Sequence, residues 1–139
     1  MLGNILPELS RYHLVLASGS PRRHELLAQI GVNAEIIPSQ FPEDLNKTEF
    51  SSAGEYCLEN SRRKVLEVLD RKRNSFDGPT IIIGSDTVVV NDGEILEKPR
   101  SPEEALEIAY ISSRKNSLCY FLYCFAHFRQ KECRAQNYR

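Results

Sequence analysis

In this 139-residue chain, two groups of residues have the types and spacing to do chemistry. The first is Ala17-Ser18-Gly19-Ser20-Pro21-Arg22-Arg23, directly after the apolar run Leu14-Val15-Leu16. The run reads as a covered strand, and the small residues break it. Ser20 and Pro21 suit the N-cap and first position of a helix. A helix start presents unpaired N–H groups and the positive end of the peptide dipole, which favours anions. Arginines in the first turn oppose that dipole unless an anion joins them, and their planar donors match phosphate oxygens. The other reading is an ordinary capped helix with solvated arginines. A Walker loop is excluded, because no Gly-Lys-Ser/Thr follows.

The second group surrounds Asp86. It follows Thr80-Ile81-Ile82-Ile83-Gly84, the strongest central-strand candidate, and precedes Val88-Val89-Val90. A carboxylate in that setting is partly buried, and burial without a partner is costly. It is either paired with a cation, for which Lys98 is one candidate, or it holds a metal or a water. A structural Asp capping a turn is the alternative.

The elements that position these groups follow from periodicity and punctuation. A helix is expected over Pro21–Ile30, with Leu26, Leu27 and Ile30 as its buried face and Gly31 ending it. Ala34–Pro38 reads as a second strand, and strand–helix–strand order favours an α/β sheet. Ser52-Ala53-Gly54-Glu55 is a capping box opening a helix to about Lys72. Leu58, Val65, Val68 and Leu69 form its apolar face, and Arg62, Arg63 and Lys64 lie on its remaining, solvated surface. Asn91-Asp92-Gly93 predicts a hairpin turn. Ser101-Pro102-Glu103-Glu104 opens a short helix to about Ile111. Residues 113–139 hold an aromatic group (Tyr120, Phe121, Tyr123, Phe125, Phe128) without a clean period, and do not fit the body. A zinc site from Cys119, Cys124, His127 and Cys133 matches no common ligand spacing.

Composition is ordinary for one soluble domain, with 41% hydrophobic and 27% charged residues. The net charge of -1 excludes an overall basic field, so no nucleic-acid partner is expected. Four cysteines are too few for a disulfide scaffold in this length. No signal peptide is recognisable, and the late apolar run Leu118–Phe128 is shorter than the ~20 residues that span a bilayer. No membrane partner and a cytoplasmic location are therefore expected.

The Ala17–Arg23 motif with Glu25-Leu26-Leu27, the strand Gly84-Ser85-Asp86-Thr87-Val88-Val89 and the hairpin Gly93-Glu94-Ile95-Leu96-Glu97-Lys98-Pro99 together resemble the Maf family of nucleoside triphosphate pyrophosphatases. Lys64 and, more weakly, Glu43 fall where that family places a helix lysine and an acidic residue. The resemblance covers roughly residues 13 to 112. It implies an α/β fold with a mixed twisted sheet flanked by helices (Maf/ITPase-like). It also implies cleavage of a nucleoside triphosphate between its α and β phosphates, assisted by Mg²⁺ or another divalent cation. Carried over, Asp86 would activate or position the attacking water. Ser18, Arg22, Arg23, Lys64 and Lys98 would hold the triphosphate, and Glu43 with Asp86 would hold the metal. The hairpin is most similar to the branch acting on dTTP, UTP and modified pyrimidine nucleotides in a housecleaning role. A homodimer is a further expectation.

The family's Ser-Gly-x-x-His-x-Val and Asp-Lys-Ala-Gly-x-Tyr-x-Ile-Gln motifs are absent here. The expectation is therefore a partial domain over 1–112, lacking the C-terminal half of the fold, followed by a divergent tail over 113–139. Reduced or no activity follows from that, and a non-catalytic nucleotide-binding or interaction module is the alternative function.

Overall fold

The computed structural model describes residues 5–96, 99, 101–114, 117–129 and 132–136. A short helix α1 (Leu6–Leu9) leads into β1 (His13–Leu16), α2 (Pro21–Gln29) and β2 (Glu35–Ile36). The long helix α3 (Ala53–Lys72) follows, then β3 (Thr80–Asn91), β4 (Glu94–Leu96), α4 (Pro102–Arg114), β5 (Ser117–Arg129) and β6 (Glu132–Gln136). The strands form one mixed sheet of order β2-β1-β3-β5-β6, with β4 also paired to β3. β1 is parallel to both β2 and β3, whereas β4 and β5 run antiparallel to β3.

From β1 the chain crosses to β2 on one side and returns past β1 to β3 on the other. Right-handed crossovers then place α2 and α3 on opposite faces. The strand order reverses between β1 and β3, and in open α/β sheets ligands bind at the carboxyl ends of strands at such a point. Here the divergence is drawn out along β3. Its first four residues pair with β1, and β4 pairs only from Val89 onward. Gly84–Val88 therefore has no strand on that edge among the described residues, while its other edge is fully paired to β5.

The core lies between α3 and the sheet. Val65, Val68 and Leu69 of α3 pack with Val15, Ala17, Ile37, Phe76, Ile82 and Cys124. A second cluster, Tyr56, Cys57 and Val88, extends along the same helix, supported by Leu122 and Ile95. The α3 start forms the expected cap: the Glu55 amide donates to Ser52 Oγ at 3.2 Å. The Glu55 carboxylate reaches one residue further than expected, accepting from the Ser51 amide and hydroxyl. The hairpin turn places Asp92 at φ 50 and Gly93 at φ 88, the positive-φ pair that a two-residue turn needs.

The elements depart from expectation in four ways. β3 runs unbroken through Asp86, so that carboxylate lies mid-strand rather than in a turn. Lys64 is buried, not solvated: α3 is covered over a face wide enough to include Asn60, Ser61 and Lys64. Conversely, α2 has no buried residue, and Leu26 and Ile30 are 51% and 45% exposed. Nothing among the described residues covers them. Lastly, Ser117–Arg129 becomes a full-length partner of β3, from Thr80↔Phe128 to Asn91↔Ser117. Its strand character comes from this pairing with β3, a distant contact that the local sequence does not announce. Cys119 and His127 lie on this one strand, more than ~20 Å apart at ~3.3 Å per residue, so the zinc grouping does not form around one ion.

Gly84 sets the spacing between α3 and β3. A Cβ there would stand 2.3 Å from Val65 Cγ2 and 2.6 Å from the Ser61 carbonyl oxygen. The carbonyl belongs to a helix backbone and cannot rotate away. Gly84→Ala is therefore expected to cost about 2–3 kcal/mol, as overpacking does; urea unfolding measures it, and a loss under about 0.5 kcal/mol would show that the helix yields freely.

Candidate active site

Asp86 Oδ1 accepts a hydrogen bond from Lys64 Nζ at 2.7 Å, and Glu43 Oε1 lies 3.1 Å from the same nitrogen. The Lys64 and Asp86 side chains are 8% and 5% exposed, and Glu43 is more open at 34%. Asp86 shares a face of β3 with Gly84 and Val88, both of which meet α3. The same close approach that excludes a methyl at Gly84 thus delivers Lys64 to Asp86.

Glu43 arrives from the loop after β2, where it adopts φ 55, a left-handed conformation that is costly for a side-chain-bearing residue. The loop is fastened to α3. Glu67 Oε2 accepts from Ser39 Oγ and the Gln40 amide, and Arg71 donates to the Pro38 carbonyl. Desolvation raises the Glu67 carboxyl, but the bonds from Arg71, Gln40 and Ser39 outweigh it and hold the group below its ordinary pKa.

Arg23 closes the site from the other side. Its guanidinium donates to Ser18 Oγ at 3.0 Å, to the Ser85 carbonyl at 3.0 Å and to Thr87 Oγ1 at 3.1 Å. The Ser85 carbonyl belongs to the segment of β3 that has no neighbouring strand on that edge among the described residues. Arg23 supplies there the donor that a strand would have supplied. Ser20 holds the N-cap position of α2, but its hydroxyl makes no capping bond; Ser18 Oγ instead accepts from the Ser20 amide.

These groups line one cavity of about 340 Å³: Ala17 to Ser20, Arg23, Ser39, Glu43, Lys64, Asp86 and Thr87. A second cavity of about 310 Å³ shares Glu43, Asp86 and Thr87 with it and runs past Lys47, Tyr56, Asn60, Val88, Ile95 and Leu96. Of the residues singled out in the sequence, Ser18, Arg23, Glu43, Lys64 and Asp86 thus meet in one place. Arg22 is exposed and lines neither cavity. Lys98 lies outside the described residues. Thr87, Ser39 and Asn60 were not anticipated. Asn60 had a signal, since it stands four residues before Lys64 and eight before the buried Val68 on one helix face.

Two carboxylates within 3.1 Å of one nitrogen supply oxygen donors that suit a hard divalent cation, which binds through one or two carboxylates plus phosphate oxygens and water. No grouping of three or more metal-ligating side chains occurs among the described residues. The residues present fit Mg²⁺ held jointly with a polyphosphate better than a closed protein cage.

The open sheet and this strand-reversal site define an α/β protein with a charged crevice at the carboxyl ends of its parallel strands. The chain belongs to the Maf family: the family model described as Maf-like protein matches residues 13–137. A nucleoside triphosphate pyrophosphatase of Dictyostelium discoideum is 42% identical over 120 residues, covering 86% of this chain and 56% of that protein. A dTTP/UTP pyrophosphatase of Schizosaccharomyces pombe is 39% identical over 111 residues, 79% of this chain and 45% of the relative. One from Vibrio vulnificus is 41% identical over 108 residues, 77% and 55%. The chain spans about half the length of these relatives. No helix among the described residues is long and apolar enough to cross a membrane.

Two outcomes follow for the buried charges. Lys64→Ala strands Asp86 in the interior and is expected to cost about 3–5 kcal/mol, whereas the double variant Lys64→Met, Asp86→Leu recovers most of it. A double variant no more stable than Lys64→Ala, by urea unfolding, would show the pair to be stabilising in itself. Cys57, fully buried beside Asp86, has its thiol pushed up to about 11, first by desolvation and then by the Asp86 charge. The folded state therefore keeps this proton where the unfolded chain releases it. The resulting stability is complete below about pH 9 and lost as pH rises towards 11. The stability gap between wild type and Cys57→Ala is expected to narrow by about 2–3 kcal/mol over that range; a constant gap would place the thiol in contact with water.

Proposed function

We propose that this chain forms the phosphate-binding and water-activating part of a nucleoside triphosphate pyrophosphatase acting on dTTP, UTP and modified pyrimidine nucleotides. The observation that carries the reading is Asp86, held by Lys64 in a cavity that also takes in the small-residue loop 17–20 and Arg23. The dTTP/UTP pyrophosphatases of Schizosaccharomyces pombe and Vibrio vulnificus, to which the chain is similar, support the substrate class.

In this reading the loop lets a polyphosphate approach the backbone, and Arg23 offers guanidinium donors from the edge of β3. Arg22, exposed beside it, would reach the outer phosphates. Asp86 orients a water and accepts its proton as the oxygen attacks the α-phosphorus. The α–β phosphoanhydride bond breaks, leaving a monophosphate and pyrophosphate. Lys64 fixes the carboxylate's direction, and Lys98 would add a further phosphate contact. Glu43 and Asp86 would hold a divalent cation, which when bound supplies charge neutralisation at the phosphate oxygens. A housecleaning role in the cytoplasm and a homodimer are part of the same reading. The chain contains no Asp-Lys-Ala-Gly motif, so its turnover is expected to fall below that of a relative that has one.

The test is incubation of the purified chain with dTTP or UTP and Mg²⁺, following monophosphate and pyrophosphate by chromatography. Both products are expected, and Asp86→Asn is expected to slow their release ~100-fold or more. A diphosphate with orthophosphate, or full rate in Asp86→Asn, would overturn the mechanism. Binding without turnover would assign the chain to the non-catalytic alternative.

A further inference from the structure

Glu43 keeps a costly backbone conformation, φ 55, and such a residue persists only where its surroundings hold it. The chain on both sides of it is fastened. Before it, four successive residues are tied down. Arg71 Nη2 donates to the Pro38 carbonyl at 2.9 Å. Glu67 Oε2 accepts from Ser39 Oγ at 3.1 Å and from the Gln40 amide at 3.0 Å. Ser39 Oγ in turn accepts from the Phe41 amide at 3.1 Å. After it, the Asn46 side chain accepts from the Thr48 amide and caps the short turn Lys47–Glu49. Arg71 Nε donates to Glu67 Oε1 at 2.6 Å, which fixes the carboxylate that gathers the first of these segments.

Lys64, Glu67 and Arg71 follow one another on α3 at spacings of three and four, so they share a face of the helix. That face presents the ammonium that meets the Glu43 carboxylate at 3.1 Å and, one turn on, the carboxylate that holds the Glu43 loop. Ser39, a direct partner of Glu67, lines the first cavity together with Glu43. We propose that Glu67 is a positioning residue: through Ser39 and Gln40 it sets where the Glu43 carboxylate stands beside Asp86, and so how well the two hold a divalent cation on a polyphosphate. Glu67 itself touches neither ligand. Partners that orient a metal-binding carboxylate carry much of a site's affinity, because they fix the direction of its oxygens. This deepens the proposed function and rests on it.

The experiment measures, by calorimetry on the full chain, the affinity for inorganic tripolyphosphate with Mg²⁺ and again with EDTA. Wild type is expected to bind the Mg²⁺ form at least ~10-fold tighter, and this ratio is the gain due to the cation. Glu67→Ala is expected to lose most of the gain, ~10-fold, while binding without Mg²⁺ stays within about threefold. Glu67→Gln keeps an oxygen for Ser39 and Gln40, and is expected to hold the gain within about threefold of wild type. In a Glu43→Ala background, adding Glu67→Ala is expected to change the gain by less than about twofold, since the residue through which it acts is gone. Arg71→Met releases the same loop and is expected to lose ~3-fold, which keeps the test open if Glu67→Ala does not fold. A wild-type gain in Glu67→Ala, or in Arg71→Met where that chain alone folds, overturns this proposal and leaves the parent reading standing. So does a loss that persists in the Glu43→Ala background or falls equally on binding without Mg²⁺, which marks Glu67 as a structural tie. Absence of any gain in wild type removes the cation role of Glu43 and this proposal with it. Failure of wild type to bind tripolyphosphate in either form sinks the parent reading.

Discussion

At Gly84 the backbones of β3 and α3 approach so closely that a methyl group has no room between them. This contact determines where every group on the buried face of α3 meets the sheet. Lys64 follows Ser61 by three residues and precedes Val65 by one, so it descends onto β3 next to the point of closest approach. Asp86 is the next residue on that face of the strand after Gly84. A wider spacing would leave room for water between them, and the ion pair would lose the low-dielectric surroundings that strengthen it. Burying two charges is unfavourable in itself, and hydrophobic residues of similar volume commonly do as well or better. The hydrophobic packing of Val65, Val68 and Leu69 over Ile82 supports this arrangement rather than gaining from it.

The sheet is built so that one strand is half open. On one edge β3 gives its first residues to β1 and its last to β4, and among the described residues no strand pairs with the five between. Arg23 satisfies one of the exposed carbonyls and thereby links the start of α2 to the strand bearing Asp86. A lysine would offer a single point of donors where the guanidinium spans Ser18, Ser85 and Thr87. The guanidinium completes the sheet edge and at the same time holds the small-residue loop 17–20 in register with the carboxylate.

Much of this was legible in the residues. Strand, turn and helix at 14–29, the long helix from Ser52 and the Asp92-Gly93 turn follow from local chemistry, because caps, prolines and positive-φ glycines act over three or four residues. Ser18, Arg23 and Asp86 stand out by their own setting, at a capped helix start and inside an apolar strand, whereas Lys64 and Glu43 were expected at the site only through the family resemblance. What was illegible depends on distant contacts. Lys64 reads as solvated unless one knows that β3 carries a glycine where α3 crosses it. Leu26 and Ile30 read as buried unless one knows that nothing described lies over α2. The aromatic stretch after Ser117 hides its strand character because its partner, β3, lies far earlier in the chain. Asn60 looks like an ordinary helix polar residue until its burial is known.

The charges lining the first cavity cancel. Arg23 and Lys64 stand against Glu43 and Asp86, so the crevice has no net monopole of its own. Such a site exerts little pull on an anion beyond its mouth, and ionic strength has little purchase on the encounter rate. Capture then depends on what happens after arrival, when a ligand's polar atoms meet these four charges at contact distance. A crevice of this kind discriminates by fit, and it does not accumulate polyanions indiscriminately.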